Sequence, residues 1–325
     1  MTDRAASVDV VCLGETMALL AFEATGPLRI GATATLSIGG AESNVAIGLA
    51  RLGHRVGWIG RVGDDAAGQL ITATLHGEGV DVSTVTSDGL MPTGLMLREH
   101  RTYDRFRVDY YRRGLAGSRL APEQVDDEFV RSSGIAHITG ISAALSDSAG
   151  AAALRAIDLV HQSGGLASFD VNHRSALWST DAARPVLREF VRRCDVVFAG
   201  PDEAELVLDL AAGECDTPAL VAGLLELGPG EVVVKCGADG AIGQVAGGEP
   251  VAVAPRRVTC LDPVGAGDAF VAGHLSGLLD GLDLAGRLDR GNACGAFAVS
   301  VHGDWEGAPR RDELGYVAGG LDVLR

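Results

Sequence analysis

Apolar and polar positions along this chain follow two different periods. Residues 8–13, 55–60, 134–138, 166–170, 195–198 and 231–236 form short apolar runs, the pattern of strands buried on both faces. Between and after them, apolar residues recur at helical spacing. That predicts helices over 42–52, 66–76, 148–162, 183–193, 202–211 and 218–227, with two more at 267–279 and 285–300. In the first of these Val45, Leu49 and Leu52 share one face, and Gly53 stops the helix. Such alternation makes a parallel sheet covered on both sides. Two stretches, 17–38 and 94–111, alternate at period two with turn residues between, which predicts a small half-buried sheet projecting from the main body. Gly and Pro are spread evenly, with no linker, tandem repeat or low-complexity tail, so residues 1–325 read as a single domain.

Composition narrows the function classes. A formal charge of −16 over 325 residues argues against nucleic acid or an anionic membrane surface as partner. Arginine carries almost all the positive charge, since Lys235 is the only lysine. The six cysteines, Cys12, Cys194, Cys215, Cys236, Cys260 and Cys294, are dispersed, without a CxxC pair or zinc spacing, and read as buried thiols of a reducing compartment. Residues 1–8 are polar and lack a signal-peptide core, and no apolar run reaches transmembrane length. A cytoplasmic location is expected.

The segment Asp262-Pro263-Val264-Gly265-Ala266-Gly267-Asp268 carries the chemistry. A helix begins at its small residues, so backbone N–H groups can close on an anion that the helix dipole also favours. Asp268 falls in the first helical turn, aimed at the same anion. Backbone donors beside a fixed carboxylate are what phosphoryl transfer to an alcohol requires. A plain glycine-rich helix start with Asp268 as a cap reads equally well from these residues alone. A Walker A loop is excluded by the missing Gly-Lys-Ser/Thr, and a dinucleotide fingerprint would need a third glycine early in the chain.

This segment resembles the C-terminal signature of the PfkB carbohydrate kinases, usually written DTxGAGD, with Pro263 and Val264 as a variant also found among kinases of 2-keto-3-deoxygluconate. The resemblance implies a ribokinase-like three-layer α/β/α sandwich with a small β-lid from about 17–38 and 94–113, ATP and Mg²⁺ as cofactors, Asp268 as catalytic base, and Gly265, Ala266 and Gly267 as an anion hole. Gly39-Gly40-Ala41-Glu42-Ser43-Asn44 resembles the family's N-terminal signature, which assigns Gly39, Gly40 and Asn44 to the sugar; a tight turn before a helix would look the same. The Gly60–Asp65 turn that follows strengthens the match. By the same resemblance Lys235, Gly237 and Gly240 contact ATP, although a bare hairpin turn fits those residues too. Asn292 falls near the adenine, and Glu203 helps position Mg²⁺ through water. Gly200 departs from the pattern, standing where the family usually has Asn, and Asp202 is a partial substitute.

The acceptor is addressed by the lid. Arg98, Arg101, Arg105, Arg107, Arg112 and Arg113 lie there among Glu99, Asp104 and Asp109, and arginine forks suit carboxylates, although most such side chains would also serve as an exposed strand face. Tyr110-Tyr111-Arg112-Arg113-Gly114 and Asp170-Val171-Asn172-His173-Arg174 resemble 2-keto-3-deoxygluconate kinases. That implies Tyr110, Arg112 and Arg174 as contacts to a sugar acid, with Asn172 and Asp304 nearby. Met96 departs from the pattern, occupying the place of a substrate-contacting tyrosine. The expected activity is therefore ATP-dependent phosphorylation of a sugar hydroxyl, 2-keto-3-deoxygluconate or a related acid first, a neutral sugar such as fructose or ribose, or a nucleoside, second. A sugar- or nucleotide-sensing homologue without catalysis is the reading from another class. The resemblance also points to a homodimer paired through the lid.

Overall fold

The computed structural model describes residues 8–102 and 105–316; Asp104 of the lid segment and the polar 1–7 stretch lie outside them. Its main sheet has nine strands. From edge to edge they are Val251–Val253, Ala241–Val245, Glu231–Lys235, Val196–Ala199, Leu166–Asp170, Ile135–Thr139, Val10–Leu13, Val56–Ile59 and Val80–Asp81. The seven from Glu231–Lys235 to Val80–Asp81 pair in parallel, and the two at the opposite edge are antiparallel.

Most of the parallel strands send alternate residues into two separate cores. Val11, Leu13, Ala136, Ile138, Phe169 and Val197 meet the helices Asp147–Gln162, Thr180–Arg193, Pro201–Leu208 and Thr217–Leu225 on one face. On the other, Val10, Cys12, Trp58, Ile135, Phe198 and Val233 meet the helices Ala41–Arg51, Ala66–Gly77, Ala266–Leu279 and Leu284–Ala298. This is the expected three-layer sandwich. Each fully buried aliphatic or aromatic side chain contributes about 1.5–3 kcal/mol, against about 0–1 kcal/mol for an exposed ion pair, so these interdigitated rows hold the layers together.

The second, four-stranded sheet is the expected lid. Its order is Ala34–Gly39, Met17–Phe22, Leu95–Thr102, Arg105–Tyr111, with the central pair parallel and the outer pairs antiparallel. Met17, Leu19 and Met96 are buried on its inner face, whereas Leu36 on the outer face is 58% exposed. The thiol expectation needs one correction. Cys12, Cys194 and Cys294 are buried and Cys215 and Cys236 half-buried, but Cys260 is exposed, because the 254–265 connection runs over the surface; all six are free.

Among the described α-helices, most begin on a capping side chain, such as Asp65, Ser146, Ser179 or Asp283. The three that begin after Gly40, Gly200 and Gly265 have no cap side chain on their first-turn N–H groups. All three glycines line cavities at the carboxyl ends of the parallel strands, where open α/β sheets place their ligands.

Candidate active site

A cavity of about 560 Å³ lies between those strand ends and the inner face of the lid. A second, of about 790 Å³, lies beyond it against the antiparallel edge, and Lys235 lines both. The first collects residues from distant parts of the chain: Gly39, Gly40 and Asn44; Tyr110 and Arg112; Asn172 and Arg174; Glu203; Gly265, Gly267 and Asp268; and Asp304. Gly237 lines the second, together with Gly200 and the exposed Asp202.

Asp268 is at the centre. It stands in the first turn of the Ala266–Leu279 helix, whose leading N–H groups are uncapped. Asn44 donates from Nδ2 to Asp268 Oδ2 at 2.8 Å. Burial raises the Asp268 carboxyl to about 6, against the Asn44 hydrogen bond and the Arg174 charge, which lower it. A carboxyl in that range is ionised at neutral pH yet basic enough to take a hydroxyl proton. Gly265 turns with φ +74°, and a Cβ there would overlap the Asp304 carbonyl oxygen. Only glycine meets both demands.

Lys235 ends its strand beside the same helix start, 3.6 Å from where a Gly267 Cβ would stand. Its Nζ donates to Asp170 Oδ2 at 2.6 Å, while Asp170 Oδ1 is buried without a hydrogen-bond partner. Burial alone would depress the ammonium, but Asp170 and Glu203 outweigh it and raise it. Lys235 is therefore a fixed cation between two cavities. Glu203 accepts from the Gly200 N–H at 2.7 Å and the His173 N–H at 2.9 Å, so it braces its own helix start as well as the first cavity. Burial, and next the Asp170 charge, raise its carboxyl.

Three expected residues stand outside both cavities. Asn292 lines neither cavity; its amide donates to the carbonyls of Val253 (3.2 Å) and Ala254 (3.1 Å), holding from behind two residues that wall the second. Gly240, at φ +92°, shapes the turn but leaves its Cβ direction against the Val253 carbonyl. Ala266 contributes backbone at the helix start without lining either space.

Several members of the site went unassigned from sequence. Arg98, one of the lid arginines left open between an anion contact and an exposed face, is buried; its Nη1 lies 3.2 Å from both Asp262 Oδ2 and Asp304 Oδ1, joining the lid to the loops on either side of the site. The period-two pattern carried that signal, because 96 and 98 share a phase and Met96 faces inward. Burial pushes the Asp304 carboxyl to about 7 in spite of Arg98. Glu42, inside the glycine motif, is fully buried and accepts from Thr139 (2.7 Å) and Ser142 (2.9 Å). Its side chain fills the space that Gly14 leaves open, a contact between residues far apart in sequence that no local pattern announces. Glu15 pairs with Arg112.

Comparison with known proteins decides what this arrangement is for. The model of the pfkB family carbohydrate kinases matches residues 7–311. The chain belongs to the pfkB family of carbohydrate kinases. As such a kinase it uses ATP as co-substrate in phosphorylating a sugar. It is 36% identical to a 2-dehydro-3-deoxygluconokinase of Bacillus subtilis over 309 residues, 94% of each chain. It is 39% identical to one of Thermoproteus tenax over 312 residues, 94% of this chain and 92% of the relative. Among solved structures, a PfkB protein of Polaromonas sp. JS666 superposes with a TM-score of 0.84 at 36% identity, covering 95% of this chain and 99% of the other.

The residues present fit a nucleotide and a divalent ion. The uncapped helix start and Lys235 suit phosphates. Among the described residues no group of three or more His, Cys, Asp or Glu could hold a metal; Asp170 and Glu203, which line the first cavity, are carboxylates that would face a divalent ion carried on bound phosphates. No helix among the described residues is long and apolar enough to cross a membrane.

Proposed function

We propose that this kinase transfers the γ-phosphoryl group of ATP to a hydroxyl of 2-dehydro-3-deoxygluconate (2-keto-3-deoxygluconate) or a closely related sugar acid. The observation that carries the reading is Asp268, a buried carboxyl raised to about 6, beside an uncapped helix start and within the same cavity as Arg112 and Arg174. The acceptor lies in the first cavity under the lid and the nucleotide in the second, with its phosphates reaching the Gly265–Gly267 backbone past Lys235. Asp268 takes the proton of the attacking hydroxyl as its oxygen bonds to the γ-phosphorus, and ADP leaves. Gly265, Ala266 and Gly267 donate N–H groups to the oxygens on which charge develops. Gly39, Gly40, Asn44, Asn172 and Asp304 surround the sugar, Tyr110 packs against it, and Gly237 and Gly240 shape the nucleotide turn. Asn292 acts on the nucleotide through the 253–254 backbone. Glu203 would help hold Mg²⁺ through water, and the ion would neutralise phosphate charge there. The lid excludes water from the closed site.

A neutral acceptor is the second reading, favoured by Glu15, whose carboxylate offsets the Arg112 charge inside the cavity. The test is ADP release with Mg-ATP across sugar acids, ketoses, aldoses and nucleosides. Turnover confined to the sugar acid supports the first reading, turnover confined to neutral sugars the second, and silence on all of them a sensing homologue. Arg174→Ala should raise KM more for the acid than for a neutral sugar.

Residues 1–325 are taken as one catalytic unit with its lid, working in the cytoplasm, where six free thiols are kept reduced. Leu36 pairs in register with Leu20 on the outer lid face, an apolar surface suited to a second copy of the chain; sedimentation of the Leu36→Glu protein tests that dimer.

A further inference from the structure

Glu15 and Arg112 stand at two places where the chain crosses between the main sheet and the lid. Glu15 follows the body strand Val10–Leu13 and precedes the lid strand Met17–Phe22, while Arg112 comes directly after the lid strand Arg105–Tyr111. Their side chains are 0% and 8% exposed. Arg112 Nε donates to Glu15 Oε2 at 2.6 Å and Nη2 reaches the same oxygen, so the pair leaves Nη1 out. The guanidinium carbon lies 5.6 Å from the centroid of the Tyr110 ring, and both residues line the acceptor cavity. Glu15 Oε1 is buried without a hydrogen-bond partner. A Cβ on Gly117 would overlap the Glu15 side chain, and one on Gly94 would come within 3.1 Å of Oε1.

A buried ion pair is a poor way to gain stability, because desolvating both charges cancels much of their attraction. Burial raises the Glu15 carboxyl even with the Arg112 charge beside it. Two glycines and an unsatisfied oxygen are thus kept at a lid crossing for a pair that contributes little net stability. What the pair does accomplish is geometric. Arginine has several rotatable bonds, and anchoring two of its three nitrogens to one fixed oxygen leaves a single orientation for the third.

We propose that Glu15 is a positioning residue for acceptor recognition: by clamping Arg112 where lid and body meet, it aims the remaining guanidinium nitrogen at an anionic acceptor. This rests on the reading above, in which Arg112 contacts a sugar acid. Glu15 also lines the cavity, but its side chain is 0% exposed and its carboxylate is held by Arg112, so it acts through Arg112.

The test is a double-mutant cycle read in KM and kcat for 2-dehydro-3-deoxygluconate with Mg-ATP, using Glu15→Gln, Arg112→Ala and the double variant. Loss of one well-placed charged hydrogen bond corresponds to about tenfold. Glu15→Gln is expected to raise KM by about that factor with a much smaller change in kcat, and to add less than about twofold once Arg112 is Ala. An equal effect of Glu15→Gln in both backgrounds, or an unchanged KM while Arg112→Ala raises it, overturns the proposal. If Arg112→Ala itself leaves KM unchanged, the sugar-acid contact has failed, and with it the basis of the proposal, a result distinct from failure of the clamp alone. Melting curves report folding of each variant. If the Gln protein does not fold, Glu15→Asp, which keeps the charge but withdraws it by one methylene, takes its place in the cycle with the same expected dependence on Arg112.

Discussion

Asn44 Nδ2 lies 2.8 Å from Asp268 Oδ2, a buried hydrogen bond between residues 224 positions apart. It joins the two helices that start at the cavity under the lid, one after Gly40 and the other after Gly265. The bond holds the carboxylate in one rotamer and opposes, without cancelling, the burial that raises it to about 6.

As the proposed base, Asp268 would work only when ionised, so kcat/KM is expected to fall as pH drops through about 6 and to level off above it. Asp268→Asn should lower kcat by about 10²–10⁴-fold, the usual worth of a general base. Calorimetric binding of the acceptor should be retained. Turnover near the parent rate would remove Asp268 from the role.

Asn44→Ala removes an interaction that lowers the Asp268 carboxyl. The acidic limb of the pH–rate profile should therefore move to higher pH. A limb that stays in place, or moves down, would mean that the titration belongs to another group.

Gly265→Ala puts a side chain at φ +74° and against the Asp304 carbonyl. The backbone strain alone is worth about 1–3 kcal/mol, and relieving the overlap displaces the helix start or the Asp304 loop. The melting temperature and kcat should fall together. Loss of stability with kcat intact would show that the loop, rather than the helix start, had yielded.

Lys235→Met removes a cation that lines both cavities and leaves Asp170 buried without its 2.6 Å partner. A charged hydrogen bond of about 1.5–3 kcal/mol corresponds to roughly a ten- to hundredfold change, expected mainly in the KM for ATP. An effect confined to the sugar KM would assign Lys235 to the acceptor instead.

The layered architecture was legible because each strand buried on both faces is a continuous apolar run and helices such as Asp147–Gln162 and Thr180–Arg193 keep one apolar stripe, although Ala41–Arg51 and Ala266–Leu279 are buried nearly all round. The alternation in 17–38 and 94–111 likewise announced a sheet with one face inward. The Gly265–Asp268 segment could be read locally, since a left-handed glycine and a first-turn carboxylate are neighbours in sequence. Paired long-range contacts were not legible in the same way. Arg98 and Arg107 are both lid arginines in the sequence, yet one is buried against Asp262 and Asp304 and the other is exposed beside Asp109.

The sequence by itself determined the element order, the lid and the family signature, because these depend on residue type at short spacing. Only the tertiary structure decided which charges are buried and with whom. Glu15 meets Arg112 across 97 positions and Glu42 meets Thr139 across 97, distances over which no periodicity persists. Desolvation, which raises Asp268 and Asp304 to about 6 and 7, belongs to the assembled cavity rather than to any stretch of chain.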